Sequence, residues 1–314
     1  MYGERFMSTK IILDCDPGID DALAIAFAQG HPGLELVGIT TVAGNVGLAK
    51  TTRNALAVAD FVGAVPVPVT PGCPGPLLRP ARDAREVHGE TGLGGAVIPD
   101  SARDPREGHA IDYIIDTVCA SPGEITLVAT GPLTNIALAL RKEPQLVRCV
   151  REFVIMGGST GRGNVTPAAE YNMWADPEAA SVVFGAGWTV RMIGLDVTLQ
   201  ALAVASVRER MAALGTLGSA LLLPALAQYN DNLGSAPAVH DVCAVASVAV
   251  PDVFGYTPAH VQVETTGQLT SGMTVTDFSA SAAPNARVAT SIDAGHFWDL
   301  VLEAYTAVAA GIGR

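Results

Sequence analysis

The 314-residue chain has no run of about 18 apolar residues free of Gly, Pro and charge, which argues against a membrane-spanning helix. Its opening, MYGERFMST, contains no apolar signal region and reads as a loose tail, 1–9, in which Met7 is an alternative start. Basic residues are scarce. Lys and Arg number 19 against 31 Asp and Glu, a net charge of −12, whereas a nucleic-acid partner would call for a basic face. The five cysteines, Cys15, Cys73, Cys119, Cys149 and Cys243, form no CxxC pair. Such an odd set is expected of small core residues in a reducing cytoplasm. There is no GxGxxG and no GxxxxGK[ST], so the usual glycine-rich phosphate cradles are missing. With no internal repeat and no clear linker, the chain is read as one domain, 1–314.

What is present is apolar matter in an α/β rhythm. At 49% apolar and 16% charged, the composition calls for a sizeable buried core. Strands are predicted at Ile11–Leu13, Leu34–Val42, Ile125–Ala129, Phe153–Met156 and Val190–Leu195. Helices are predicted at Asp20–Gln29, Leu48–Val62, Ala110–Ala120, Leu133–Arg141 and Pro177–Phe184. This order implies an open, mainly parallel sheet with helices on both faces, a Rossmann-like core. Continuously apolar strands such as ITLVA and FVIM suit a doubly covered sheet. Pro71–Gly108, rich in Gly, Pro and charge, is too long for an ordinary connection and is expected on the substrate side. Beyond Leu199 come a helical region to about Asn232, a helix from Asp241, the short strand-like pieces HVQVE, MTVTDF and ARVATSI, and a last helix, Phe297–Ala309.

Ligands of open parallel sheets bind beyond the carboxyl ends of the strands. The polar residues just past each predicted strand are Asp14, Asp16, Asp20 and Asp21, then Asn45, Thr130 and Asn135, then Asn164, Glu170 and Asn172, and Asp196. Capping explains Asp20 or Asp21 taken singly. It does not explain four carboxylates in the eight residues Asp14–Asp21, whose mutual repulsion a cation would offset. All-oxygen ligands favour calcium or magnesium over zinc, and a flexible mixture favours calcium. A phosphate would be repelled there, so an uncharged polyol is the better ligand. His240, before the helix that Asp241 could cap, and His88, among Gly89, Gly92, Gly94 and Gly95, are each compatible with a role or with a plain structural position.

DCDPGIDDALAI resembles the opening signature of the calcium-dependent, inosine–uridine-preferring nucleoside hydrolases. The resemblance continues through ITTVAGNVGLAKTTRNA, VHGETGLGG, LVATGPLTNIALAL, IMGGS, GNVTPAAEYNMWADPEAA, IGLDVT, VHDVCAVA and LTSGMTVTDF. It implies hydrolysis of the ribonucleoside N-glycosidic bond to ribose and free base by calcium-bound water, in a homotetramer or homodimer. The metal ligands it implies are Asp16, Asp21, Asp241 and the carbonyl of Thr130. Asp16 would double as general base. Asp20, Asn45, Asn164, Glu170 and Asn172 would hold the ribose hydroxyls. His240 would be the leaving-group acid, with a pKa near working pH helped by nearby acids, and His88 would lie near the base. The segment YNDNLGSAPA is short against this pattern, and Tyr229 is the candidate for an aromatic beside the base.

Two rivals fit parts of the same residues. A haloacid-dehalogenase-type phosphatase also begins with an aspartate pair, but it needs magnesium and a phosphate-holding lysine. DCDPG also lacks the small or branched residue usual after its second Asp. A calcium-dependent sugar-binding protein would need the ligands without the chemistry.

Overall fold

Continuously apolar strands must be covered on both faces, and the intervening helices are the elements that cover them. The computed structural model describes residues 8–233 and 236–312. Its first part runs β1 (Thr9–Cys15), α1 (Ile19–Gly30), β2 (Leu34–Thr41), α2 (Leu48–Phe61) and β3 (Val69–Pro71), then a long irregular stretch holding α3 (Arg85–His88). The alternation resumes with α4 (Ala110–Ala120), β4 (Ile125–Ala129), α5 (Thr134–Lys142), α6 (Leu146–Cys149) and β5 (Glu152–Met156). It continues through α7 (Tyr171–Ala175), α8 (Pro177–Phe184), β6 (Val190–Ile193) and α9 (Leu195–Thr198). A helical excursion comes next: α10 (Ala205–Ala212), α11 (Gly215–Leu217), a π-helical turn at Gly218–Leu222, α12 (Leu223–Leu233) and α13 (His240–Ala249). The chain closes with β7 (Phe254–Val263), β8 (Thr274–Asp277), β9 (Ala286–Ile292) and α14 (Ala294–Gly311).

The nine strands form one sheet in the order β3-β2-β1-β4-β5-β6-β9-β7-β8. Pairing is parallel from β3 to β9, and β7 runs antiparallel to both its neighbours. The chain winds outward from β1 to β3 and then returns to place β4 on the other side of β1. That reversal opens a crevice at the carboxyl ends of β1 and β4, where such sheets take their ligands. Along β1, Ile11, Leu13 and Cys15 enter the core shared with α1, α13 and α14, while Ile12 enters the core on the α4–α5 face.

Helix α1 is buried from Ile19 to Ala28, so it has no solvent face. An all-round apolar helix is an interior helix, and α1 packs against both α13 and α14. Burying Leu23, Ile25 and Phe27 stabilises this layer by roughly 1.5–3 kcal/mol each. The Tyr305 hydroxyl of α14 donates to the Leu23 carbonyl at 3.1 Å.

The expected architecture is present, with local differences. The last predicted strand of the first half stops at Ile193, because Leu195 and Asp196 already belong to α9. HVQVE is the end of the longer β7. The final helix starts earlier than expected, where the Asp293 carboxylate accepts from His296 N–H and caps it. Three-residue β3 and four-residue α6 are too short to carry a period. Residues 1–7 of the expected tail lie outside the described residues, and Thr9 already pairs in β1. Only part of Pro71–Gly108 is on the substrate side. Its far end is tied to the β3 edge, where Arg106 N–H donates to the Val69 carbonyl and Arg103 pairs with Asp60.

Gly30 closes α1 where a Cβ would collide with the carbonyl oxygen of Ala304 on α14. Backbone cannot rotate away, so Gly30→Ala should destabilise the protein by about 1–3 kcal/mol. An unchanged urea midpoint would show that the two helices separate freely.

Candidate active site

The acidic turn between β1 and α1 forms the floor of the crevice. Asp21 is the third residue of α1, and its Oδ2 accepts from Gly18 N–H at 2.9 Å, so the capping reading holds for this residue. The same oxygen accepts from Asn45 Nδ2 at 3.1 Å, and Oδ1 accepts from the Thr130 hydroxyl at 2.9 Å. Asp20 makes no cap; it accepts from the Tyr229 hydroxyl at 3.1 Å. Asp16 accepts from Asn45 N–H at 2.6 Å through Oδ2, while its Oδ1 is buried with no partner among the described residues. Asp241 opens α13 without capping it. Close packing needs bare backbone around these groups: a Cβ at Gly131 would fall 2.7 Å from Asp16 Oδ1, and one at Gly44 would collide with Asp16 Oδ2.

Oxygens of Asp20, Asp21 and Asp241 lie within 4.8 Å of one another, a grouping that fits a metal ion. This cluster brings in Asp20, which the resemblance put on the substrate side. Asp16 stands beside it. Burial, and then the charge of Asp21, push the Asp16 carboxyl well up. Burial raises Asp20 to about 6, and burial with the charge of Asp20 raises Asp21 to about 7. Asp241 is pushed well up by burial and by Asp20, Asp21 and Asp16. Four crowded carboxylates, an unpartnered oxygen and all-oxygen donors are the chemistry of a hard-cation site.

Above this floor lies a cleft of about 360 Å³ that collects all six expected substrate-side residues together with Thr130, Tyr229, His240 and Asp241. Glu170 caps α7, its carboxylate accepting from Asn172, Met173 and Gly158 N–H groups, and burial raises it to about 7. Asn172 Nδ2 donates to the carbonyls of Thr130 and Met156, and Asn164 Oδ1 accepts from Tyr171 N–H. Asn172 Oδ1 and Asn164 Nδ2 are thereby left without a protein partner among the described residues.

His88 accepts from Ile19 N–H at Nδ1, 3.1 Å, so its ring proton sits on Nε2. Burial, and then His240, lower it to about 3. Its ring meets Tyr229 edge-on at 5.7 Å. The neighbouring glycines serve a folded turn: Gly89, Gly92 and Gly94 have φ of +75°, +93° and +57°. Asn54 pins that turn, donating to the carbonyls of Thr91 and Pro17 at 2.9 and 3.0 Å. His240 departs from expectation. No carboxylate raises it; burial lowers it to about 4, so the ring is neutral at neutral pH.

Three rim candidates serve structure. Asp14 lies beneath the floor, accepting from Thr40 at 2.5 Å and Asn135 at 2.8 Å. Asn135 also accepts from Cys73 N–H at 2.9 Å, tying the irregular stretch to the sheet. Asp196 turns outward to the Thr160 backbone and hydroxyl. Sequence reasoning did not single out Thr198, whose hydroxyl meets His240 Nδ1 at 2.8 Å; its only signal was a place in IGLDVT.

A doubly wound sheet with a carboxylate floor and an amide-lined cleft at its switch point is the build of a nucleoside hydrolase. The purine-preferring ribonucleoside hydrolase of Gardnerella vaginalis superposes with a TM-score of 0.90 at 34% identity, over 96% of this chain and 99% of that one. The inosine-uridine preferring nucleoside hydrolase of Leishmania major is 48% identical over 309 residues, covering 95% of this chain and 98% of the relative. The non-specific ribonucleoside hydrolase RihC of Klebsiella pneumoniae is 47% identical, over 93% and 96%. The family model described as inosine-uridine preferring nucleoside hydrolase matches residues 11–299, and the chain belongs to that family. Membership removes the phosphatase and the non-catalytic sugar binder.

Carboxylates whose folded pKa is raised favour the folded state most when protonated. Their contribution is complete below the unfolded value of about 4 and is lost as pH rises through about 6 and 7, the values of Asp20 and Asp21. Metal-free protein should therefore lose stability over this window, and a bound divalent cation should restore it. Added calcium should raise the melting temperature of exhaustively dialysed protein more at pH 8 than at pH 5. Equal increments, or none, would contradict the cluster as a cation site.

Proposed function

We propose that the chain hydrolyses the N-glycosidic bond of purine and pyrimidine ribonucleosides with the help of one calcium ion, acting in nucleoside salvage. The observation that carries this reading is the Asp16 carboxylate. One oxygen is pinned by Asn45 and the other is buried and unpartnered among the described residues, beside three further carboxylates. Asp16, Asp21, Asp241 and the Thr130 carbonyl would hold the ion, with Asp20 close by. When bound, calcium supplies the charge that offsets the carboxylates, orients vicinal hydroxyls and makes water more acidic.

The remaining work falls to the protein. Asp16 takes the proton of the water attacking the anomeric carbon. As the bond to the base breaks, positive charge builds on the ribose, and the surrounding carboxylates stabilise it. Asp20, Asn45, Asn164, Glu170 and Asn172 fix the sugar hydroxyls so that water and anomeric carbon are aligned. His88 and Tyr229 flank the base. His240 donates to the departing base nitrogen. Because burial keeps its ring neutral, it does so by a hydrogen bond from its ring N–H; full proton transfer requires the ring to be charged first.

The family relation supports a homotetramer or homodimer, and five unbridged cysteines support a cytoplasmic setting. No described helix is long and apolar enough to cross a membrane.

The test is a substrate panel with calcium-loaded and metal-free protein. Inosine and uridine should be cleaved, 2′-deoxyuridine about 10²-fold more slowly or worse, because its missing hydroxyl leaves site groups unpaired. Uridine 5′-monophosphate should be a poor substrate. Equal rates for uridine and 2′-deoxyuridine would sink the diol reading. Asp16→Ala should lower kcat by about 10²–10⁴-fold or more, and substantial residual activity would remove Asp16 as the base.

A further inference from the structure

The hydrogen-bond partner of the His240 ring decides what that ring can offer a substrate. Thr198, the last residue of α9, is fully buried. Its Oγ1 lies 2.8 Å from His240 Nδ1 and has no other hydrogen-bond partner among the described residues. Its own main chain is engaged elsewhere: Thr198 N–H donates to the Gly194 carbonyl at 3.1 Å, and Ala201 N–H donates to the Thr198 carbonyl at 3.1 Å.

Hydrogen accounting then fixes direction. If Nδ1 carried the ring proton and donated to Oγ1, the buried Thr198 hydroxyl hydrogen would have no acceptor, which costs about 1–3 kcal/mol. If the hydroxyl donates to Nδ1, both the hydroxyl hydrogen and Nδ1 are satisfied, and the neutral ring carries its proton on Nε2. Nε2 has no protein partner among the described residues, and His240 lines the cleft. The contact is held from both sides. Ala203 N–H donates to the Pro237 carbonyl at 2.8 Å and Val239 N–H to the Ala201 carbonyl at 3.2 Å, fastening the segment after Thr198 to the segment before His240.

We propose that Thr198 is a positioning residue that locks His240 as the Nε2–H tautomer and aims that donor at the departing base. Without the hydroxyl, both tautomers become available and the ring is free to turn. The inference rests on the reading of His240 as the group that donates to the leaving base.

The experiment compares Thr198→Val, Thr198→Ala and Thr198→Ser with His240→Ala, on inosine and on p-nitrophenyl riboside, with calcium-loaded protein. The p-nitrophenolate anion leaves without help, so only inosine depends on a donor. Thr198→Val should lower kcat on inosine by about 10-fold or more, as a share of the 10²–10⁴ expected of general acid–base groups. KM should hold, and p-nitrophenyl riboside should stay within about 2-fold. Thr198→Ser keeps the hydroxyl and should recover most of the inosine rate; a purely packing role would respond to the lost methyl instead. Thr198→Ala serves if valine prevents folding. Equal loss on both substrates, or an unchanged inosine rate, overturns the role of Thr198. The layers separate: if His240→Ala is selective for inosine and Thr198→Val is not, only the positioning falls. If His240→Ala slows both substrates alike, the reading beneath it falls as well.

Discussion

Repulsion among four buried carboxylates is the constraint on which the rest of this structure turns. Asp16, Asp20, Asp21 and Asp241 are each at most 5% exposed, and each is raised by burial. Water cannot dissipate such crowding at depth; only hydrogen bonds, protonation or a cation can. The fold supplies part of the answer. Gly18 N–H, Asn45 and Thr130 donate to Asp21, Asn45 N–H donates to Asp16, and the start of α1 carries the positive end of the helix dipole. What these donors leave over is the charge deficit that a divalent ion fits.

Holding such a cluster in place demands rigidity from its supports. Helix α1 is enclosed on all sides and cannot rotate its aspartates outward without exposing its core. The histidines are held by the same logic. His88 is fastened to the first turn of α1 through Ile19 N–H, and His240 is fastened to Thr198. Both rings present Nε2–H when neutral, and both are kept neutral by burial. The cleft is thus lined with fixed donors and acceptors, which suits a reaction whose barrier depends on alignment and on charge building in the sugar.

The sheet and most helices were legible because long apolar strands and helices carry a period, and the turn residues after each strand marked the ligand rim. Elements of three or four residues, such as β3 and α6, carry no period and escaped. So did the division of labour among rim residues. Asp14 and Asp16 are two residues apart at the end of β1, and each keeps one oxygen unpartnered among the described residues. Yet Asp14 is tied to Thr40 and Asn135 and is raised by burial alone, while Asp16 is raised further by the charges of Asp21 and Asp20. Asp196 comes after β6 as expected and then turns to Thr160. The expected acidity of His240 failed for a related reason: nearness in sequence to Asp241 says nothing of burial, and burial dominates.

The sequence by itself determined the layered α/β class, the acidic turn at the end of β1, and the family through motifs spread along nearly the whole chain. Those are properties of local pattern and order. Tertiary structure decided that Asp241, more than two hundred residues from Asp20, meets it and Asp21; that Tyr229 reaches Asp20; that His240 lines the same cleft; and that Thr198 faces His240. Which oxygens remain free, which ring nitrogen carries the proton and how far each carboxyl is raised depend on burial and partners. These arise only when distant segments close over one another and exclude water.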